Sequence, residues 1–433
     1  MTRDQSPWGA PKPDPVPATP TPSEPQDHLE GEFLGRRVRL FGLALRTGVL
    51  TILTLGFYRF WMKTRLRRWY WSSIRVGGLP LEYVGDPVEK LLGFLIAVVI
   101  LAFYVGVVNL LLMFASFSLF QGNFAAYLAS FVGVIPIWFY AQYRARRYVL
   151  ARTRWRGLRF GLEPGAWGYA VRALGHWTLT LLTLGILWPR MTYHLEKYKT
   201  DRTSWGTGRL SQGGRWQMLF PSTKWVIFGV LISACGAVPL TWEALETPLL
   251  SDMMYAKPYF GLWVALISLG IAVLTFGVFY YRVDSLRRLT ATKEMNGVGL
   301  TLKARPLRIF GIHFWGYTLA SIALFVPLVM IMVVIGFAMA GLIGAEDMGV
   351  DLDWLTTLDR WVLIVINIGL YFAAFLMWSV FTQTFITFPL MRHYAETLTL
   401  HNPDALLAVR QRPRDEHIEA EGFAEALDVG ASI

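Results

Sequence analysis

The chain has 433 residues, of which 54% are hydrophobic and 16% charged, with a formal net charge of +11 at pH 7. A soluble domain carries about 25% charged residues, so this composition excludes an ordinary soluble domain and points to an integral membrane protein. The single cysteine, Cys235, excludes a disulfide framework within the chain and is expected to be a small buried or lipid-facing residue.

In chain order, residues 1–31 are rich in Pro, Ser and Thr and hold no apolar stretch of the signal-peptide kind. They are expected to form a disordered tail. Residues 32–400 are expected to form a repeat-containing transmembrane domain, and residues 401–433 an acidic C-terminal tail. Within the central region TILTLGFYRFW (Thr51–Trp61) is nearly copied by TLLTLGILWPR (Thr180–Arg190), at an offset of 129 residues. Each string ends an apolar segment, Leu40–Trp61 and Trp167–Pro189, long enough to cross a bilayer. Arg46 lies in the first segment, Arg172 and His176 in the second. Ionisable groups at membrane depth are functional candidates by default, and snorkelling to the interface is the plainer alternative.

Six longer apolar runs follow in pairs: Leu91–Phe117 with Phe124–Tyr143, Trp225–Trp242 with Phe260–Tyr281, and Phe310–Leu342 with Trp361–Leu390. The segments between pairs are basic and aromatic, and the positive-inside rule places them in the cytoplasm. Two carry the densest charge. Lys63, Arg65, Arg67 and Arg68 are interleaved with Trp69 and its aromatic neighbours, and Arg144, Arg146, Arg147, Arg154 and Arg156 follow the second run. Guanidinium groups meet lipid phosphates while indole and phenol rings sit at headgroup level, so these residues are candidates for binding anionic lipid or an interface. Turns are expected at Arg156-Gly157, Gly206 and Asn296-Gly297, next to short extended stretches such as Leu79–Tyr83.

The two doubled segments set two rules against each other. Their apolar length favours crossing, and the arginines on both flanks favour a return to the same side. A re-entrant or interfacial course is supported by Gly56, Gly185 and Pro189, which weaken or end a helix. Threonines at i and i+3 can satisfy the carbonyls such a bend releases. Apolar length leaves crossing with the edge.

The expected fold is therefore an all-α polytopic membrane protein. It has six long transmembrane helices, two shorter duplicated apolar segments that span or re-enter, and small basic cytoplasmic helix–turn elements. The string Leu53-Thr54-Leu55-Gly56-Phe57-Tyr58, followed by Trp61, Arg65, Arg68 and Tyr70, with Gly78 and Tyr83 beyond, resembles the YjgN-like family of bacterial inner-membrane proteins of unknown function. The second copy matches at Leu182-Thr183-Leu184-Gly185 and departs at Trp188-Pro189. The resemblance covers about residues 32 to 400. It implies an inner-membrane, multi-pass protein and carries over no catalytic or binding residue.

His194 with Glu196, and His393 with Glu396, lack the spacing of a zinc helix, and no phosphate loop or nucleophile motif is found. No cofactor, metal or catalytic residue is expected. The partners expected are the phospholipid bilayer and anionic lipids, with a membrane-protein complex or a homo-oligomer as a further possibility; nucleic acid is not expected. A structural, assembly or lipid- and partner-binding role leads, ahead of a transporter or channel and of a lipid-modifying intramembrane enzyme.

Overall fold

The computed structural model describes residues 28–120, 124–246, 259–347 and 360–412. The Pro-rich segment before residue 28, residues 121–123, 247–258 and 348–359, and the acidic segment after residue 412 lie outside them.

Ten short strands form a closed antiparallel barrel: β1 (His28–Phe33), β2 (Ile74–Val76), β3 (Leu79–Tyr83), β4 (Thr153–Trp155), β5 (Leu158–Leu162), β6 (Thr203–Trp205), β7 (Gly208–Gln212), β8 (Lys293–Met295), β9 (Val298–Leu302) and β10 (Leu398–His401). Four pairs, from β2–β3 to β8–β9, are hairpins with two-residue loops. Gly77-Gly78, Arg156-Gly157 and Asn296-Gly297 all have positive φ at both loop positions. That is the type I′ turn, whose twist matches the flanking strands. The N-terminal strand closes the ring. Glu30 of β1 pairs with Thr399 of β10, and Glu32 with Arg75 of β2.

Alternation along the strands turns one set of residues into the lumen. Leu29, Val76, Trp155, Trp205, Met295, Val298 and Leu400 pack there as one apolar cluster. The segment after β10 adds Leu406 and Val409 to that cluster. It is held over the hairpin turns by hydrogen bonds from the Thr207 amide to the Arg410 carbonyl (2.8 Å) and from the Arg410 amide to the Thr207 hydroxyl (3.1 Å). The barrel is a filled core capped at one mouth.

Helix pairs run between the hairpins. They are α1 (Arg37–Leu53) with α2 (Arg59–Ser73); α3 (Pro87–Phe103) and α4 (Asn109–Phe120), joined by a π-turn, with α5 (Phe124–Ala151); α6 (Ala166–Leu182) with α7 (Trp188–Thr200); α8 (Lys224–Glu246) with α9 (Phe260–Thr290); and α10 (Pro306–Asp347) with α11 (Arg360–Thr382), a second π-turn and α12 (Phe388–Glu396). Among the described residues, four helical stretches are long and apolar enough to cross a membrane: Trp216–Glu243, Phe260–Thr290, Pro306–Met330 and Ile368–Glu396. Cys235 is exposed on α8.

This architecture overturns the all-α, six-span expectation. The basic segments end in β-hairpins that assemble with strands about 40 to 100 residues away along the chain. No strand exceeds six residues, so each is too short to show a clear two-residue period. Neither doubled string is part of one continuous helix. Each is the turn of a short helix pair, and α1, with 17 residues, is about 25 Å long against a core of about 30 Å.

The turn chemistry is the same in both copies. The Gly56 amide donates to the Thr51 carbonyl (2.7 Å) and the Leu55 amide to Ile52 (2.9 Å); Gly185 donates to Thr180 (2.8 Å) and Leu184 to Leu181 (3.0 Å). These are the paired bonds of a Schellman helix stop. Leu55 and Leu184 take the left-handed conformation, with φ of 51° and 49°. The Thr54 hydroxyl donates back to the Leu50 carbonyl (2.8 Å) and accepts the Tyr58 amide (2.9 Å), so it ends α1 and starts α2.

Two contacts fix the helices to one another and to the barrel. In α8 and α9 small residues permit close approach, as is common between helices in lipid. A Cβ on Gly277 would fall 2.6 Å from the Val226 amide nitrogen, and one on Gly229 2.5 Å from that of Leu274. At the foot of the barrel Glu196 of α7 pairs with Lys199 (2.9 Å), Lys293 of β8 (2.8 Å) and Arg146 of α5 (3.8 Å). Burial pushes its carboxyl up, but Lys199, Lys293 and Arg146 together hold it well below the usual carboxylate range.

Gly277→Leu is expected to destabilise the detergent-solubilised protein by about 1–3 kcal/mol, because the backbone of α8 cannot move away from the new side chain. Gly311→Ala, in α10 with open space around it, is the control and is expected to leave the thermal midpoint unchanged or slightly raised. Equal midpoints for wild type and Gly277→Leu would contradict the close packing. Glu196→Gln is expected to lose about 3 kcal/mol at neutral pH. A carboxyl whose folded pKa is depressed contributes stability above its unfolded value of about 4.3, and that contribution fades as pH falls through the folded pKa. Thermal melts should therefore separate wild type from the variant by a constant gap at pH 5–7 and converge below about pH 4; a gap that persisted in acid would contradict the ion cluster.

Candidate functional site: a cavity beside the first short helix pair

A cavity of about 880 Å³ lies between the first short helix pair and the last long one. Its volume falls within the usual range for ligand sites. Arg59, Lys63, Leu66 and Tyr70 line it from one stripe of α2, at spacings that keep them on a single helix face. Opposite stand His313 and Tyr317 of α10 and Phe372, Phe375 and Ser379 of α11. The turn itself contributes Leu55 and Gly56.

The π-turn Gln383–Thr387 forms part of the wall. Such insertions widen a helix locally and are frequent at functional sites. Here the Tyr70 hydroxyl reaches across to Gln383, 3.1 Å from Oε1 and 3.3 Å from the backbone carbonyl. This contact sets the register between α2 and α11. Eleven residues further from the barrel lie Arg59 on α2 and Phe372 on α11. At the helical rise both sit about 16 Å beyond the Tyr70–Gln383 contact, at a common depth. The His313 ring donates from Nδ1 to the Ile309 carbonyl (2.9 Å), which makes Nε2 the acceptor in the neutral ring.

The second short pair is closed where the first is open. At the 129-residue offset, Arg59 corresponds to Trp188 and Lys63 to Thr192. Trp188 packs on Tyr281 of α9 with ring centroids 4.3 Å apart, and the Tyr281 hydroxyl donates to Thr192 (2.8 Å).

The residues singled out in the sequence fall into three groups. Arg46 and Arg172 are exposed on α1 and α6, and Arg172 stacks on the Tyr198 ring at 4.8 Å. His176 lies parallel to His194 at 5.1 Å; burial keeps both rings below the usual histidine range, helped at His176 by His194 and then Arg190, and at His194 by Arg190 and then Lys197. The two candidate regions of the doubled segments are therefore not brought into one site. Of the basic aromatic set, Arg67 and Arg147 are buried, and Arg67 bonds and stacks on Tyr83 (3.3 Å to the hydroxyl). Arg144 bonds the Tyr140 hydroxyl (2.8 Å), Arg146 joins the Glu196 cluster, and Trp69 packs edge-on against Phe33. Arg154 sits in β4 opposite Glu82. Arg65 and Arg68 are exposed, and Arg156 covers Trp155 at a hairpin turn. Lys63 alone of this set lines the cavity.

Arg59, Ser379 and Gln383 are polar lining residues that sequence reasoning passed over. The signal available was the Arg59–Lys63 spacing of four directly after the doubled string, and the polar QTFIT stretch inside an apolar run. Among the described residues no group of His, Cys, Asp or Glu side chains is arranged to hold a metal ion.

A family model described as "Bacterial protein of unknown function (DUF898)" matches residues 28–314. That span contains nine of the ten strands and both short helix pairs. No curated protein and no solved structure matches the chain. With well over half its length matched, and with the YjgN-like proteins belonging to the same family, the chain is a member of the bacterial DUF898 family.

Proposed function

We propose that the chain is a multi-pass inner-membrane protein with a binding and scaffolding role, its barrel resting on the cytoplasmic face of the bilayer. The observation that carries this reading is the contrast between the two ends of the short helix pairs. Their tips are apolar and open: Leu55 is 87% exposed and Leu184 93%. Apolar side chains left bare on a left-handed turn are stabilised by lipid, in the manner of interfacial helices that insert about 5–10 Å. The opposite ends run into the barrel through segments dense in arginine and lysine, which favour the cytoplasmic side.

The filled lumen and its cap support a rigid platform rather than a conduit through the strands. The cavity beside α2 supports binding as the protein's activity. The same helix-stop hydrogen bonds at Thr51–Gly56 and Thr180–Gly185 support descent of the helix-pair-plus-hairpin units from one duplicated ancestor.

Single cysteines test the topology in a Cys235→Ser background. Ser72→Cys, at the end of α2, and Glu294→Cys, in β8, both occupy exposed positions. Both are expected to react with a membrane-impermeant maleimide only in inverted vesicles. Leu55→Cys and Leu184→Cys are expected to resist it from either side. Labelling of Ser72→Cys or Glu294→Cys in intact spheroplasts would contradict the proposed orientation.

A further inference from the structure

We propose that the seam between α6 and α7, at His176, Arg190 and His194, holds the phosphodiester of an anionic lipid headgroup, and holds it more tightly as the pH falls. This rests on the membrane placement proposed above.

Three basic side chains meet there. His176 of α6 and His194 of α7 lie face to face, with ring centroids 5.1 Å apart. Arg190 stands one turn before His194 on the same face of α7. Among the described residues nothing hydrogen-bonds or ion-pairs with either ring or with the Arg190 guanidinium. The other charges that reach the rings, Arg190 and Lys197, are both positive. The carboxylates of α7 and its end are committed elsewhere: Glu196 to Lys199, Lys293 and Arg146, and Asp201 to Lys197 (3.0 Å). On α6 Arg172 donates to the Gly168 carbonyl (3.0 Å) and covers the Tyr198 ring. On α5, which packs on α6, Arg144 bonds the Tyr140 hydroxyl. The segment Trp216–Thr223, which packs on α7, has no ionisable side chain. A neutral imidazole offers one N–H donor and one acceptor, and a protonated one offers two donors. Two protonated rings this close, with Arg190 beside them, repel unless an anion lies among them. A bound anion favours the protonated rings, so proton uptake and anion binding strengthen each other.

Position selects a lipid among anions. Leu181, Leu182, Leu184 and Ile186 are exposed at the tip of the pair, and Trp177 is exposed beside His176. At the helical rise His194 lies about 9 Å along α7 from Trp188, the depth at which an interfacial helix meets headgroups. The order from tip to foot is bare leucine, indole, imidazole and then Lys197, so a phosphate held by the rings leaves its acyl chains on the tip side, where the bilayer core lies. A zwitterionic headgroup would bring its own cation to the same place. The short-pair fold does not itself demand this arrangement. At the 129-residue offset His176 corresponds to Thr47, which is buried and bonded to the Leu43 carbonyl (2.7 Å), and Arg190 corresponds to Trp61, which stacks on Tyr58.

The test uses the full-length protein in detergent, titrated with short-chain phosphatidylglycerol, short-chain phosphatidylcholine or sulfate at about pH 8 and about pH 5, on either side of the histidine range. Binding is followed by native mass spectrometry and thermal unfolding. Neither anion titrates between those values, so a change in affinity belongs to the protein. Phosphatidylglycerol is expected to bind about 25-fold more tightly in acid, each imidazolium contributing about fivefold as a surface cation does. Phosphatidylcholine and sulfate are expected to bind more weakly at both values. His176→Gln/His194→Gln keeps the hydrogen bonding and removes the charge; it is expected to bind no better in acid than at neutral pH. His194→Lys carries a fixed charge and is expected to bind more tightly than wild type at the higher pH, with a smaller response to acid, which holds the test open should the double variant fold poorly. Arg190→Gln is expected to weaken binding at both values and keep the response. Arg46→Gln removes an exposed charge from the first short pair and is expected to bind as wild type does. Wild-type binding that ignored pH would overturn the proposal, as would a full acid response in the double variant, an equal loss in Arg46→Gln, or equal binding of sulfate or phosphatidylcholine. If cysteine labelling reversed the orientation while these results held, the site would stand and only its membrane side would change; a failed titration with the labelling intact would remove the site alone.

Discussion

The hydrogen bonds between β1 and β10 join residues 28–30 to residues 399–401. Without them the barrel is an open sheet of strands three to six residues long, with bare backbone groups on two edges. Strands that short are not stable singly, and open edges invite pairing with other chains. Closure satisfies both edges, and it requires every helix pair to begin and end beside the barrel. That single requirement explains why the doubled strings turn back. A segment that starts at one barrel strand and must reach the next cannot leave its second end across a bilayer.

The same constraint distributes charge. Helices converging on one ring bring their polar ends together, and bare cations in such a place would repel. The acidic side chains are placed where this would be worst. Glu196 gathers Arg146, Lys199 and Lys293 from three elements, Glu89 accepts from Arg152 (2.7 Å) and from the Tyr148 hydroxyl (3.1 Å), and Asp284 bonds Ser222 and Arg288. Arg146, Arg152 and Arg288 are in this way tied to acidic side chains of the chain itself. Arg59 and Lys63 line the cavity beside α2 together with Phe372 and Phe375.

Much of the local structure was legible in the sequence. The type I′ turns were readable from Asn296-Gly297 and Arg156-Gly157, and the Thr-x-Leu-Thr-Leu-Gly string carried its own bend in Gly56, Gly185 and the spaced threonines. The barrel was not legible. Its strands are too short to show a period, their outward positions carry arginine and glutamate, and the partner of β1 lies some 370 residues away. The edge given to crossing by the doubled segments came from weighing apolar length above flanking charge. Leu53, Leu55 and Phe57 are exposed at the turn of a helix pair rather than inside one continuous helix. The cavity was half visible: Lys63 stood out by charge, but the opposing Phe372 and Gln383 are brought to it only by the tertiary fold.

Closure between the two ends of the chain is the central claim, and a disulfide tests it directly. Glu30→Cys/Thr399→Cys, in a Cys235→Ser background, places thiols on directly paired residues of β1 and β10. A protease site introduced between residues 247 and 258 then divides the chain. After mild oxidation in membranes and cleavage, the two fragments are expected to migrate as one species until reductant is added. Fragments that separate without reductant, or a linkage found only between two copies of the chain, would contradict the closed barrel.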